Sequence, residues 1–333
     1  MRSFWDARQL AHAPALELHN GAFVPFAESP ARAESILAAI GPVEAALDHG
    51  EAPLRAVHSE AYLAFLWAAH KDWRAAGRAG DASGYAWPVV RRRPLDLDRI
   101  DARLGAYSFD AASPIAAGTW DGAYWSAQTA LSALGPVLAG DRAAFALCRP
   151  PGHHCGRDYL GGYCYLNNAA IAAEAAVAAG RRVAILDVDY HHGNGTQDIF
   201  YARGDVLFAS IHADPRTDYP FFWGHADEAG EGEGEDATLN LPLARGADLA
   251  AYLPALDAAL ERIAAFAPDL LVLSYGADTF AGDPISQFRI ETADYARLAR
   301  RIASLGKPCL IVMEGGYAVD ALGANVASFL GGF

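Results

Sequence analysis

Five short runs rich in valine, isoleucine and leucine, each ending in a cluster of polar residues, constrain the fold of this chain more than any other feature. They read AAFALCR at 143–149, RVAILDVD at 182–189, DVLFASIH at 205–212, DLLVLSYGAD at 269–278 and PCLIVMEGGY at 308–317. Runs so short and so continuously apolar suit strands covered on both faces, the condition of a parallel sheet. Segments 168–179, 248–266 and 292–305 carry apolar residues at helical spacing, so strands and helices alternate. That order predicts an α/β fold in a single domain spanning residues 1–333, its central sheet mostly parallel with helices on both faces. The N-terminal third reads as helical and loop-rich, and neither a repeat nor a Ser/Gly/Pro linker divides the chain.

With 53% hydrophobic and only 20% charged residues, the chain has the apolar content that disordered polymers lack. Its 40 acidic against 26 basic residues leave a formal charge of −14, which repels nucleic acid and anionic membranes and favours small cationic partners. No stretch approaches the roughly 20 apolar residues of a membrane span; even the alanine-rich run at 169–180 carries Glu174. The N-terminus MRSFWDARQLAHAP has Asp6, Arg8, Gln9 and His12 where an export signal needs its apolar segment, so a cytoplasmic location is expected. Cys148, Cys155, Cys164 and Cys309 form no CxxC pair and read as reduced thiols. The stretch EAGEGEGED at 228–236 reads as an acidic loop, since its glutamates would repel the pyrophosphate that a Gly-rich nucleotide loop holds.

Ligands of open α/β sheets sit at the carboxyl ends of the strands, and the polar residues gather there: PGHHCG at 151–156, DVDYHHGNG at 187–195, SIH at 210–212, GADTFAGDP at 276–284 and EGGY at 314–317. Alternation puts Asp187, Asp189 and His191 on one side as their strand ends, so carboxylate and imidazole can meet on one metal. A buried Asp–His salt bridge is the alternative for a lone D-x-H. Asp278 offers the third ligand of a catalytic zinc that keeps a position open for water. His153 and His154, in a loop bounded by Pro150-Pro151-Gly152 and Gly156, read either as surface residues or as a general base and a second proton donor. Tyr317 follows two glycines at a strand tip, either as a core tyrosine or as a hydroxyl donor to a tetrahedral oxyanion.

Taken together these residues resemble the histone deacetylase and acetylpolyamine amidohydrolase family of the arginase-deacetylase fold, its bacterial acetylpolyamine members above all. RPPGHH, GGYCYLNNAA, ILDVDYHHGNGTQDIFY, GADTFAGDP and VMEGGY occur in that order, and weaker similarity runs from Glu17 to the C-terminus. The resemblance implies a zinc-dependent amidohydrolase removing acetyl groups from small amines, with Asp189, His191 and Asp278 on zinc. It further implies His154 as general base, His153 as its electrostatic partner held by Asp187, and Tyr317 as the carbonyl-polarising donor. A structural potassium ion is implied near Asp187 and Ser210 and the main-chain oxygens of Asp189, His191 and Ile211. Tyr163, Gly162 and Phe222 resemble the walls of a narrow acyl-amine tunnel. Asn194 stands where many deacetylases carry aspartate, and a neutral amide orients an imidazole without stabilising its charge.

Substrate and assembly follow from the same resemblance. The stretch at 87–121 is similar to the loop by which acetylpolyamine amidohydrolases dimerise and narrow each other's sites, which implies a homodimer. Asp101 aligns with one of two family glutamates that bind polyamines; Ala112 aligns with the other and lacks the charge, while Asp110 lies two positions away. An acetylated polyamine is the expected substrate, a broader acyl-lysine or acyl-amine deacylase the alternative. A two-metal arginase-like enzyme would need an acid where Tyr190 stands. A catalytically silent acyl-lysine binding module would need no base, open metal and oxyanion donor together. One nitrogen and two carboxylates also suit Fe(II) or Mn(II).

Overall fold

The computed structural model describes residues 1–88 and 95–333. Its strands are β1 (Arg2–Trp5), β2 (Leu16–His19), β3 (Ala22–Pro25), β4 (Glu44–Ala45), β5 (Ala143–Ala146), β6 (Val183–Asp187), β7 (Val206–Ala213), β8 (Thr238–Leu243), β9 (Leu270–Tyr275) and β10 (Cys309–Met313). Its helices are α1 (Ala31–Ile40), α2 (Ala52–Val57), α3 (Glu60–Ala75), α4 (Ile100–Tyr107), α5 (Thr119–Leu138), α6 (Asn168–Ala178), α7 (Asn194–Phe200), α8 (Leu249–Phe266), α9 (Thr292–Ala303) and α10 (Val319–Leu330). Eight strands form one sheet in the order β4-β1-β5-β10-β9-β6-β7-β8. Every neighbouring pair in it is parallel, so each connection must cross over, mostly through helices and, between β7 and β8, through the long loop at 214–237. β2 and β3 form a separate antiparallel hairpin.

Period-2 alternation assigns each strand to two cores. Along β10, Cys309, Ile311 and Met313 join the cluster that contains Leu256 of α8, Tyr295 of α9 and Leu322 of α10. Leu310 and Val312 join the opposite cluster, with Leu66 of α3, Leu131 of α5 and Ile171 of α6. A strand apolar on both sides therefore has a helical layer over each face, as the continuous apolar runs require. Helix starts are set locally: the Asn167 side chain accepts from Ala170 N at 2.9 Å and Asp248 from Ala251 N at 3.1 Å, each satisfying a free amide of the first turn.

All five expected strands are present. The N-terminal third holds more than helices and loops, because β1 inserts between β4 and β5 in the sheet. β8 lies at an edge, where Pro242 is tolerated because a missing N–H interrupts no central ladder. Among the described residues no helix is long and apolar enough to cross a membrane.

Candidate active site

The exits of β5, β10, β9, β6 and β7 are consecutive in the sheet, so the five polar clusters meet along one edge. Asp187 ends β6 in register with Ser274 of β9 and Ser210 of β7. Beyond it the backbone turns, and Asp189, His191 and Asp278 bring one ligand atom each to within 4.8 Å of one another. His191 Nδ1 stands 3.0 Å from Asp278 Oδ2 and 3.4 Å from Asp189 Oδ1. Ligands about 2.1 Å from a tetrahedral metal lie roughly 3.4 Å apart, so this spacing fits one divalent ion.

Main-chain donors aim the carboxylates. Asp189 Oδ1 accepts from His191 N at 2.9 Å and its Oδ2 from Gly315 N at 2.8 Å, while Asp278 Oδ1 accepts from Tyr190 N at 2.9 Å. A Cβ on Gly276 would stand 2.0 Å from Asp189 Oδ2 and 2.7 Å from Asp278 Oδ1, so only glycine leaves room for the cluster. Both carboxyls are fully buried. Burial and the Asp189 charge push the Asp278 carboxyl up to about 7. Two like charges this close need a shared proton or a cation between them. The residues present therefore fit a divalent metal, and a borderline-soft ion with one nitrogen and two oxygen donors suits zinc, iron(II) or manganese(II).

The two histidines differ sharply in environment although their ring centroids are 4.1 Å apart. His153 Nδ1 meets Asp187 Oδ2 at 2.9 Å. Burial alone would depress the His153 imidazole, but the Asp187 and Asp189 charges hold it up, at about 10. His154 Nδ1 meets Asn194 Oδ1 at 2.7 Å, and burial followed by the His153 and His191 charges pushes it well below the ordinary histidine range. With Nδ1–H donating to the Asn194 amide, His154 keeps a free lone pair on Nε2. One imidazole is thus held toward its charged form and its neighbour toward its neutral form, the kind of separation that acid–base chemistry uses.

Tyr317 is 8% exposed and shares a cluster with Phe26 and Tyr163, against which Ala112 and Ile285 pack. Asp283 Oδ2 accepts from Tyr317 N at 2.7 Å and from Ala318 N at 3.2 Å, so a buried carboxylate fixes the backbone that presents the phenol. Burial keeps the Tyr317 hydroxyl protonated, far above the ordinary tyrosine range. Tyr163, with φ of 66°, lays its ring edge-on to Tyr317 at 5.5 Å and donates its hydroxyl to Glu17 Oε1 at 3.0 Å. Gly162, at φ of 55°, brings backbone against the base: a Cβ there would stand 2.1 Å from His154 Cδ2.

Two expectations about the walls are corrected. Phe222 is 81% exposed and rests against Trp223. The ring facing the histidines is that of Tyr219, edge-on to His154 at 5.2 Å and to His191 at 6.0 Å. The stretch DYPFFWG offers several aromatics in a row, and only the turn decides which one points inward. Asp101, at the start of α4, is taken up by Arg78 and Arg99, each 2.8 Å from its Oδ2, so its charge is already matched within the chain. Asp110 Oδ2 accepts from Gly162 N and Tyr219 Oη, both at 2.7 Å, and ties the two walls together. Of the segment 87–121, residues 89–94 lie outside the described residues.

A neutral imidazole beside a metal-ready cluster, with a phenol presented at the exit of β10, is the constellation that hydrolases use. The histone deacetylase domain family matches residues 27–333, and the chain belongs to that family; it is a hydrolase of the deacetylase type. Acetylpolyamine amidohydrolase 2 of Pseudomonas aeruginosa is 53% identical over 323 residues, 95% of this chain and 94% of that one. Acetylpolyamine amidohydrolase of Mycoplana ramosa is 48% identical, again over 95% and 94% of the two chains. The crystal structure of acetylpolyamine aminohydrolase from Burkholderia pseudomallei superposes with a TM-score of 0.96 at 44% identity, covering 100% of this chain and 98% of that one.

Proposed function

We propose that this chain removes the acetyl group from acetylated polyamines and related small diamines with a zinc ion held by Asp189, His191 and Asp278. The observation that carries this reading is the cluster of Asp189, His191 and Asp278, with the His154 ring 5.9 Å from that of His191 and Tyr317 edge-on to Tyr163, whose neighbour Gly162 abuts His154. A metal bound there supplies Lewis-acid polarisation of the amide carbonyl and acidifies the attacking water. His154 Nε2 takes the proton of that water as it attacks. Tyr317 Oη donates to the carbonyl oxygen, a bond that strengthens as negative charge develops on it. The departing amine needs a proton to leave, and the imidazolium of His154, formed in the first step, supplies it while cationic His153 keeps that imidazolium acidic.

The substrate class rests on charge and shape. Beside the aromatic walls lie Glu17, bonded to Tyr163, and Asp110, bonded to Tyr219; with the overall charge of −14 they favour a chain ending in an ammonium. The polyamine-deacetylating relatives support the same substrate. We extend the reading to one catalytic domain over residues 1–333, acting in the cytoplasm as a homodimer through the loop at 87–121. The register pairing of Asp187 with Ser210 supports a structural potassium ion shared with the main-chain oxygens of Asp189, His191 and Ile211. The test is a turnover panel on metal-loaded protein. Acetylputrescine and acetylcadaverine should show higher kcat/KM than acetyl-lysine peptides, and a reversed order would make the chain a general deacylase.

A further inference from the structure

Glu314 is a fully buried carboxylate that none of the steps above employs. It follows β10, which lies between β5 and β9 in the sheet, and its two oxygens reach across both neighbours. Oε2 accepts from Gly152 N at 2.7 Å and from His153 N at 3.2 Å, in the loop after β5. Oε1 accepts from Ser274 Oγ at 3.0 Å, in β9. The backbone of Glu314 is held in turn, its N–H donating to Tyr275 O at 2.8 Å and its carbonyl accepting from Arg32 Nη2 at 2.6 Å. Glu314 also comes close to His153 and Cys164 in a set with metal-like spacing. Its oxygens are occupied by these donors, however, and burial pushes the Cys164 thiol well up, so the set is not a second metal site.

We propose that Glu314 is a positioning residue: its carboxylate anchors the Gly152–His153 backbone to the central strand and so fixes where His153 and His154 stand relative to the ligand cluster. Three donors on one carboxylate are strong, directional bonds in a buried setting. Their loss leaves two main-chain N–H groups of the histidine loop without a partner, and the loop must shift to satisfy them. The His154 ring has little latitude, with Asn194 at 2.7 Å on one side and Gly162 against the other. A base displaced by about 1 Å costs on the order of 10²-fold in rate.

This inference rests on the reading of His154 as the base, and the experiment separates the two. Metal-loaded wild type, Glu314→Ala, Glu314→Gln, Ser274→Ala and His154→Ala are compared on acetylputrescine for kcat, KM and bound metal. Glu314→Ala should lower kcat by about 10- to 100-fold, with KM within about threefold and metal content unchanged. Glu314→Gln, whose amide oxygen can still accept from both N–H groups, should recover most of that rate. Ser274→Ala, which frees only Oε1, should cost less than about fivefold. Wild-type kcat in Glu314→Ala overturns the proposal, as does Glu314→Gln falling as far as the alanine variant, since negative charge and not anchoring would then matter. If Glu314→Ala does not fold, the Gln and Ser274 variants decide by the same criteria. An active His154→Ala would instead sink the assignment of the base.

Discussion

Replacing Asn194 by aspartate puts a charge where a neutral amide now orients the base. Asn194 Oδ1 lies 2.7 Å from His154 Nδ1, which sets the charge centres of a carboxylate and an imidazolium about 4 Å apart, worth about 4 kcal/mol at an effective dielectric constant near 20. At about 1.4 kcal/mol per pKa unit the ceiling is a rise of roughly three units. Position 194 is fully buried, and desolvation of the new carboxylate works against the gain, so a rise of about one to two units is expected. In the wild type, burial and then the His153 charge hold His154 well below the ordinary histidine range. Raising its pKa leaves it protonated, and useless as a base, at pH values where the parent works. The acidic limb of kcat/KM against pH should therefore move upward by about one to two units in Asn194→Asp, with activity largely recovered near pH 9. An unmoved limb in a folded, metal-replete variant would refute the assignment of His154 as the titrating base.

Tyr317→Phe should reduce kcat by about 10² to 10³ with little change in KM, because its hydroxyl acts mainly on the developing oxyanion; near-normal turnover would leave it a packing residue. Chelation should abolish activity and zinc restore it, and Asp278→Asn should lower the metal content measured by elemental analysis, since it removes one of three ligands. Acid should destabilise the fold. Burial pushes His58 and His212 down to about 4, and His12 and His192 fall well below the ordinary range. The unfolded chain takes up these protons near pH 6.5 while the native state does not, so stability is complete above about 6.5 and falls as pH drops toward 4. Thermal melts at pH 7 and pH 5 check this, and equal midpoints would mean that these rings are protonated in the native state.

The legible parts of this protein were those written in local chemistry. Continuous apolar runs identified β5, β6, β7, β9 and β10, because strands covered on both faces are built mostly of apolar residues, with polar ones gathered toward their carboxyl ends. The grouping of Asp189, His191 and Asp278 was readable for the same reason: they follow directly on those runs. β1, which opens on Arg2 and Ser3, and β8, which carries Asn240 and Pro242, lacked the continuous apolarity to be seen. Tyr219 was overlooked in favour of Phe222 because a row of aromatics in a turn has no periodicity to say which faces inward. Glu314 and Asp283 were hidden for a different reason. Most of their partners are main-chain N–H groups, at Gly152 and His153 for one and at Tyr317 and Ala318 for the other, and such bonds leave no mark in the identity of the partner residues.

The placement of β10 bears on how the protein is made. It is the last strand to be synthesised among those described, yet it lies in the middle of the sheet, between β5 and β9. A nascent chain that has emerged only as far as α9 has two half-sheets with unpaired facing edges, about 10 Å apart if held ready for the missing strand. At roughly 5–20 residues per second the ribosome leaves those edges open for a second or more, long enough for strand pairing between chains. Glu314 and Tyr317 arrive with the same closing segment, so the proposed site is incomplete until β10 is in place. Loss of the last strand would split the sheet down its centre and not merely shorten it.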